Sequence, residues 1–287
     1  MSKYKTVTVI SFIVLTVMAV MVIGAPLFTA KDPTGVELTK TLRQPGQGNL
    51  LGTDEMGRDI WTRLLYGGRV SLSVGVASVA VSTVLGVAYG AISGYAGGWV
   101  DRVLMRIIDA LLCLPSMLIM LVIQSMTRPS LTNVVLVIGF TTWMQMSRLV
   151  RTEVLSLKER EFVLAALAAG TPVWKIILRH LVPHCSPTII VMATVGVGHA
   201  ILSETSLSFL GLGIPPHQPS LGNMLIGGQN QILAGAWWIP VFPGAMIIST
   251  VLAITFASDG LQHILMLRNA GIEEGVKKWL KISKEAA

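Results

Sequence analysis

The sequence predicts an all-α, polytopic membrane protein, and its composition and hydropathy carry that prediction. Of its 287 residues 52% are apolar and only 13% are charged, whereas about a quarter of the residues of a soluble domain are charged. The mean hydropathy is +0.68, and several apolar runs approach the length of about 20 residues that a helix needs to cross a bilayer. These values exclude a soluble enzyme, a disordered tail and a disulfide scaffold.

Six apolar runs are candidate transmembrane spans, and each must be helical because backbone groups in lipid have to bond one another. The first run follows Lys3 and Lys5 and is too long for the core of a signal peptide, which predicts an uncleaved anchor. The six spans run from about Val7 to Phe28, Val70 to Tyr95, Val103 to Met126, Leu131 to Val150, Ser186 to Leu210 and Trp238 to Leu261.

The distribution of basic residues predicts the orientation of the chain. With six spans both termini lie on one side, and that side receives 15 of the 22 Lys and Arg residues. Basic residues accumulate on the cytoplasmic side of membrane proteins, so both termini are expected in the cytoplasm. This orientation explains the excess of basic over acidic residues, so no nucleic-acid partner is expected.

The first connection and the second span each have a recognisable pattern. Residues after Asp59 form an amphipathic stretch with Ile60, Leu64 and Leu65, which predicts an interfacial helix leading into the second span. Small residues then recur every four positions, which allows another helix to approach closely, either within the chain or in a self-dimer. These residues are Ser78, Ser82, Gly86, Gly90, Gly94 and Gly98.

The third span contains Asp109, an ionisable group about two turns from its start. Charged groups within a membrane span are costly, so a partner is expected. The nearest basic residues in sequence are Arg102 and Arg106, and either is predicted to pair with Asp109.

The loop between the fourth and fifth spans, about residues 151–185, is the most informative segment and is called the knob below. Helical periodicity runs through Ala165 and Ala166 until Gly170 ends it. Thr171 then resembles an N-cap with Pro172 at the first helical position, and this second short helix is predicted to stop before Pro183. Two helices at an angle suit a docking element, and a solvated loop is the alternative.

The fifth span and the loop after it, residues 211–237, contain the candidate gate. His199 and Glu204 are five residues apart and do not share one helical face, so each is either a contact on a translocation path or a buried packing residue. Phe209 closes the span, and Pro215 and Pro216 stop further helix. The loop is expected to fold back as a structural lid or to receive a partner protein.

The sequence contains no motif that is typical of a catalytic site. There is no GxxxxGK[ST] phosphate loop, no GxSxG, no HExxH and no metal-ligand spacing, and Cys113 and Cys185 are 72 residues apart. We therefore expect no catalytic residue, no metal site and no cofactor on this chain.

Four segments resemble one family. The knob resembles the loop of permease subunits of ATP-binding-cassette (ABC) importers, which reads EAA, three residues, G, nine residues, I-x-L-P. Ala165, Ala166, Gly170 and Pro183 are in register, Glu161 offers a carboxylate one turn earlier, and Leu164, His180 and Val182 depart from the pattern. Further segments are similar to the dipeptide, oligopeptide and nickel branch, namely LGTDEMGRDIWTRLLYGGRVSL at 51–72, ETSLSFLGLGIPP at 204–216, PG at 243–244 and DGL at 259–261.

This resemblance implies a type I ABC importer permease fold in the bacterial inner membrane. The chain would be the C-type partner of a heterodimeric permease, working with a second homologous permease chain, two ATPase subunits and an extracytoplasmic solute-binding protein. Its cargo would be small peptides or chelated nickel, and an ATP-independent secondary transporter is the alternative function. The knob residues Glu161, Ala165, Ala166, Gly170, Thr171, Pro172 and Pro183 would couple to the ATPases.

The same resemblance divides the chain into three parts. Residues 1–69 would form an N-terminal transmembrane helix with an extracytoplasmic segment. Residues 70–268 would form a five-helix permease core, and residues 269–287 a cytoplasmic tail.

Overall fold

The computed structural model describes residues 2–46, 48–226 and 228–285, with side chains for residues 6–46, 48–226, 228 and 230–265. Within these residues the chain is helical and has no β-strand, so the all-α prediction is confirmed. The helices are α1 (Ser2–Ile23), α2 (Ala25–Phe28), α3 (Ile60–Ala96), α4 (Gly98–Leu112), α5 (Ser116–Met126), α6 (Leu131–Leu157), α7 (Glu161–Ala168), α8 (Val173–Ile176), α9 (Val182–Phe209), α10 (Gly228–Leu233) and α11 (Trp238–Glu285). The predicted tail lies outside the residues whose side chains are described.

The predicted number of six spans is not confirmed. Four stretches of the described chain are long and apolar enough to cross a membrane, and α4 with α5 makes a fifth if the pair, bent by 79°, is one span. The predicted third span therefore bends at Pro115, which caps α5. The predicted fourth span, α6, is not in this set because polar residues such as Asn133, Gln145 and Arg148 lower its hydropathy.

Helix α3 is 37 residues long and begins earlier than the predicted second span. Asp59 caps it by accepting the Thr62 backbone N–H at 3.0 Å. The amphipathic stretch from Ile60 is therefore the first part of the spanning helix, because nothing interrupts the helix between the two.

The small-residue stripe of α3 packs against α6. A Cβ at Gly86 would lie 2.8 Å from the Trp143 carbonyl oxygen, and one at Gly94 would lie 2.8 Å from the Arg151 carbonyl oxygen. Backbones approach this closely only where side chains are absent. The contacts therefore support packing within the chain over self-dimerisation.

Charged side chains tie α3, α4 and α6 together at the end near the knob. Arg151 makes a bidentate ion pair with Asp101, with both N–O distances 2.5 Å, and the Ser93 hydroxyl donates to the same carboxylate at 2.6 Å. Asp109 pairs with Arg148 of α6. The prediction of Arg102 or Arg106 as its partner is wrong, because Arg148 reaches the Asp109 carboxylate from α6 once the two helices pack.

The opposite end of the bundle is covered by residues 29–59 and by the 211–237 loop. The Trp238 indole N–H donates to the Thr53 carbonyl at 3.1 Å, and Gln231 donates to Glu55 at 2.6 Å. Beneath these bonds Ile60, Leu221 and other apolar side chains form a buried cluster. Two segments distant in sequence therefore make one surface.

Candidate functional site

The first helix of the knob, α7, ends in a Schellman motif built on Gly170. Gly170 has φ +75°, a conformation that favours glycine. Its N–H donates to the Leu167 carbonyl at 3.0 Å, and the Thr171 N–H donates to the Ala166 carbonyl at 3.1 Å. The helix break predicted at Gly170 is thus present. It depends on the left-handed backbone conformation of this residue, which glycine adopts without steric cost.

The start of the second knob helix differs by one residue from the prediction. Pro172, with φ −66° and ψ 143°, is the N-cap of α8, and no side chain caps this helix. The prediction of Thr171 as N-cap is therefore wrong, because Pro172 keeps an extended ψ and helical geometry begins only at Val173.

The second knob helix does not stop before Pro183 as predicted. A five-residue π-helix, Ile177–Leu181, joins α8 to α9, so one helical stretch runs from Val173 to Phe209. The wider turn of the π-helix changes the register of the backbone hydrogen bonds just before Pro183. Further along, Pro187 provides no N–H, and the Ser186 hydroxyl donates to the Pro183 carbonyl at 2.7 Å instead.

The knob has a buried side and an exposed apolar side. Val163, Ile176 and Leu181 are buried against the bundle, and Phe162 stacks on His184 with ring centroids 4.7 Å apart. The outward surface carries exposed apolar side chains, which is typical of a docking surface. They are Leu164, Leu167, Val173, Trp174 and Leu178.

The predicted coupling residues all belong to this knob, but they do not form one cluster of contacts. Ala166 and Thr171 are half-buried, and the other residues are exposed. The exposed ones are Glu161, Ala165, Gly170, Pro172 and Pro183. Their coupling role stays a prediction.

The predicted gate residues separate into buried and exposed groups at the opposite end. Glu204 is fully buried and accepts hydroxyl bonds of 2.7 Å from Ser71 and from Ser208. His199 is exposed, as are Phe209 and Pro216, whereas Pro215 is half-buried. His199 and Glu204 therefore form no joint site. The described residues hold no group of three or more His, Cys, Asp or Glu side chains that suits a metal ion.

Sequence reasoning missed the serines around Glu204 and the Asp101–Arg151 pair. Ser208 is four residues from Glu204, one helical turn away, so this spacing could have predicted their bond. No local signal connects Ser71 to Glu204, because 133 residues separate them.

Comparison with known proteins shows the class to which this membrane protein belongs. Residues 86–269 match the family described as the inner membrane component of binding-protein-dependent transport systems. The chain belongs to this family and is a permease subunit of an ABC transporter. It is a membrane component and not an enzyme, because ATP hydrolysis belongs to separate chains.

Individual relatives match most of the chain. The dipeptide transport system permease protein DppC of Alkalihalophilus pseudofirmus is 38% identical over 92% of this chain and 86% of its own length. DppC of Bacillus subtilis is 39% identical over 88% of this chain and 79% of its own length. A putative peptide permease protein of Brucella suis is 38% identical over 88% of this chain and 84% of its own length.

A solved structure shares the fold. A chain from inward-facing structures of the MetNI methionine ABC transporter aligns with a TM-score of 0.59 and 16% identity. The alignment covers 71% of this chain and 96% of that chain. The predicted ABC importer permease fold is confirmed.

Proposed function

We propose that this chain forms half of the transmembrane pathway of an ATP-driven importer of small peptides. The observation that carries this proposal is 38% identity over 92% of the chain to a relative named as a dipeptide permease. The other relatives described above from Bacillus and Brucella are also named as peptide permeases. Chelated nickel, the other cargo that the sequence left open, has no such support.

The remaining subunits follow from the kind of system to which the family belongs. A binding-protein-dependent transporter needs a solute-binding protein outside the membrane and ATPases inside it. We infer a heterodimer in which this chain is the C-type permease beside a second homologous permease. Two ATPase subunits complete the complex, which lies in the bilayer of the bacterial inner membrane.

The knob is the element proposed to receive an ATPase. Its exposed side chains Leu164, Trp174 and Leu178 offer an apolar surface, and Gly170 sets the angle between its two helices. This assignment places the knob and both termini in the cytoplasm, in agreement with the excess of basic residues on that side. The 29–59 segment and the 211–237 loop then face the solute-binding protein.

The continuous helix from Val173 to Phe209 suggests how ATP binding reaches the gate. Its 37 residues correspond to about 55 Å at 1.5 Å per residue. When two ATPases close, their docked knobs move together and this helix tilts, which opens the pathway outward. Release after hydrolysis returns it inward, so the permease couples two sites through a rigid element.

Uptake into proteoliposomes tests the proposal. The permease pair is reconstituted with and without its ATPases, and uptake of a labelled dipeptide supplied on the binding protein is measured. We expect uptake only with the ATPases and ATP. Uptake by the permeases alone, driven by an ion gradient, would establish the alternative of a secondary transporter, and ATP-driven uptake of nickel without dipeptide uptake would refute the peptide assignment.

A further inference from the structure

Glu204 lies where α3, α9 and the 211–237 loop meet, and its side chain is 0% exposed. A carboxylate within a spanning helix is costly unless hydrogen-bond donors surround it. Such a residue is therefore expected to have a specific structural or functional task.

Three serines surround this carboxylate, and each comes from a different part of the site. Ser71 of α3 donates to Oε2 and Ser208 of α9 donates to Oε1, both at 2.7 Å. The buried Ser220 side chain, in the loop, also interacts with the carboxylate. In both of these 2.7 Å bonds the serine hydroxyl is the donor, so the serine oxygen keeps its lone pairs for other donors.

Each serine oxygen accepts a backbone N–H of the loop. Leu221 donates to Ser71 at 3.3 Å, Ile214 donates to Ser208 at 3.2 Å, and Asn223 donates to Ser220 at 3.1 Å. The carboxylate thus fixes the direction of the Ser71 and Ser208 hydroxyl groups, which hold the Leu221 and Ile214 amides of the loop. Hydrogen bonds connected in this way polarise and strengthen one another.

The packing of the loop on α9 is an independent sign of the same attachment. A Cβ at Gly222 would lie 2.7 Å from the Ser208 Cβ and 2.8 Å from the Thr205 carbonyl oxygen. Only a glycine lets the loop backbone approach the helix this closely. The Asn223 side chain also donates to the carbonyls of Ile214, Pro215 and Gln218, which folds the loop on itself.

We propose that Glu204 is a positioning residue that holds residues 211–226 against the end of the bundle and links their position to the tilt of α9. The proposal rests on the proposed function, because it gives this attachment a task in transport. The helix that carries Glu204 begins at Val173 in the knob, so motion of the knob is transmitted through Glu204 to the loop. Glu204 has no exposed surface and does not itself contact the cargo.

Hydrogen exchange in the assembled complex tests the positioning role. In Glu204→Gln the amide offers an acceptor at one end and a donor at the other, so one serine loses the acceptor for its proton. We expect the Ile214, Leu221 and Asn223 amides to exchange about tenfold faster or more. Ser73→Ala is the matched control, because the exposed Ser73 hydroxyl bonds only the Val70 carbonyl of its own helix.

Double variants separate this role from general destabilisation. If Glu204 and the serines act as one unit, Ser71→Ala combined with Glu204→Gln will release the Ile214 amide, which Ser208 holds, no more than Glu204→Gln alone. Ser220→Ala, a change in the loop itself, is expected to reproduce part of the effect without altering a spanning helix. Unchanged exchange of the Ile214 and Leu221 amides in Glu204→Gln overturns the positioning role.

ATPase measurements test the link to transport. With peptide-loaded binding protein, Glu204→Gln is expected to lose at least about two-thirds of the stimulated rate while assembling normally with the ATPases. A loosened loop with normal stimulation and uptake overturns the link. If the unmodified complex shows no stimulation by any peptide, the proposed cargo is wrong, and the exchange data still decide the role of Glu204.

Discussion

Gly170 is the residue at which a single side chain should separate ATP hydrolysis from transport. A Cβ there would meet no atom within 4 Å, so space is no obstacle. The cost comes from φ +75°, where a side chain adds about 1–2 kcal/mol. We expect Gly170→Leu to change the angle of the knob and lower peptide uptake per ATP hydrolysed, measured in proteoliposomes.

Gly98 provides a matched control for this prediction. It also has a positive φ, +54°, and open space around its Cβ position, but it lies outside the knob at the start of α4. Gly98→Leu should carry a similar strain and keep its coupling, and Gly170→Asn should be tolerated because asparagine accepts this conformation. Normal coupling in Gly170→Leu would remove Gly170 from the coupling residues.

The conformation or the bonding partner of a single residue could be predicted from the sequence only where neighbouring residues determine it. The helix break at Gly170 was predictable because a glycine followed by Thr171 and Pro172 already disfavours continued helix. The partner of Asp109 was not, since Arg148 meets it only after α4 and α6 pack. The same holds for Ser71 and Glu204, whose bond depends on the packing of α3 beside α9.

At the level of helices, the apolar runs predicted where helices occur better than where they end. The interfacial stretch from Ile60 and the second span are one helix, and α8 continues into α9 despite Pro183. A proline removes one hydrogen bond. The π-helical turn precedes Pro183, and the Ser186 hydroxyl bonds the carbonyl that Pro187 leaves without its usual partner. This compensation involves residues in neighbouring helical turns, so the effect of a proline considered by itself does not predict it.

The contact between α3 and α6 should fail when a side chain is added to the small-residue stripe. A Cβ at Gly90 would overlap the Ser147 carbonyl oxygen and lie 3.1 Å from the Arg151 backbone nitrogen. Gly90→Val therefore forces the helices apart and disturbs the Arg151–Asp101 pair, at a cost of about 1–3 kcal/mol. We expect a lower Tm in detergent. Gly244→Ala, where a Cβ meets nothing within 4 Å, serves as the control, and an equal Tm in both variants would contradict this packing.

On the scale of the whole molecule, the two candidate sites occupy opposite ends of one bundle. The knob lies at the start of the helical stretch Val173–Phe209 and the Glu204 cluster near its end. Near the knob, the Asp101–Arg151 pair and Ser93 join three helices. At the other end, Glu204 with Ser71 and Ser208 joins two helices and the loop. Charged and polar groups thus connect helices at both ends of the bundle, as the proposed tilting motion requires.

The last prediction concerns the outer surface of the 211–237 loop. Changes to this surface distinguish a docking site for the solute-binding protein from a structural lid. Pro216 and His217 are exposed, whereas Asn223 holds the loop from inside. Replacing Pro215, Pro216 and His217 therefore changes mainly the outer surface and leaves the inner hydrogen bonds. If the loop receives the solute-binding protein, this triple variant should lose most of the ATPase stimulation by peptide-loaded binding protein while the permease still assembles with its ATPases.

A second variant and two measurements complete this test. Replacement of exposed Leu233, on α10 within the same loop, shows whether any apolar change there has the same effect. Stimulation is measured over a range of binding-protein concentrations, and assembly is measured by co-purification of the ATPases. A docking role predicts that the triple variant needs a higher binding-protein concentration for half-maximal stimulation, because contacts at an interface mostly change the rate of dissociation. An unchanged concentration dependence in the triple variant would leave the loop as a lid.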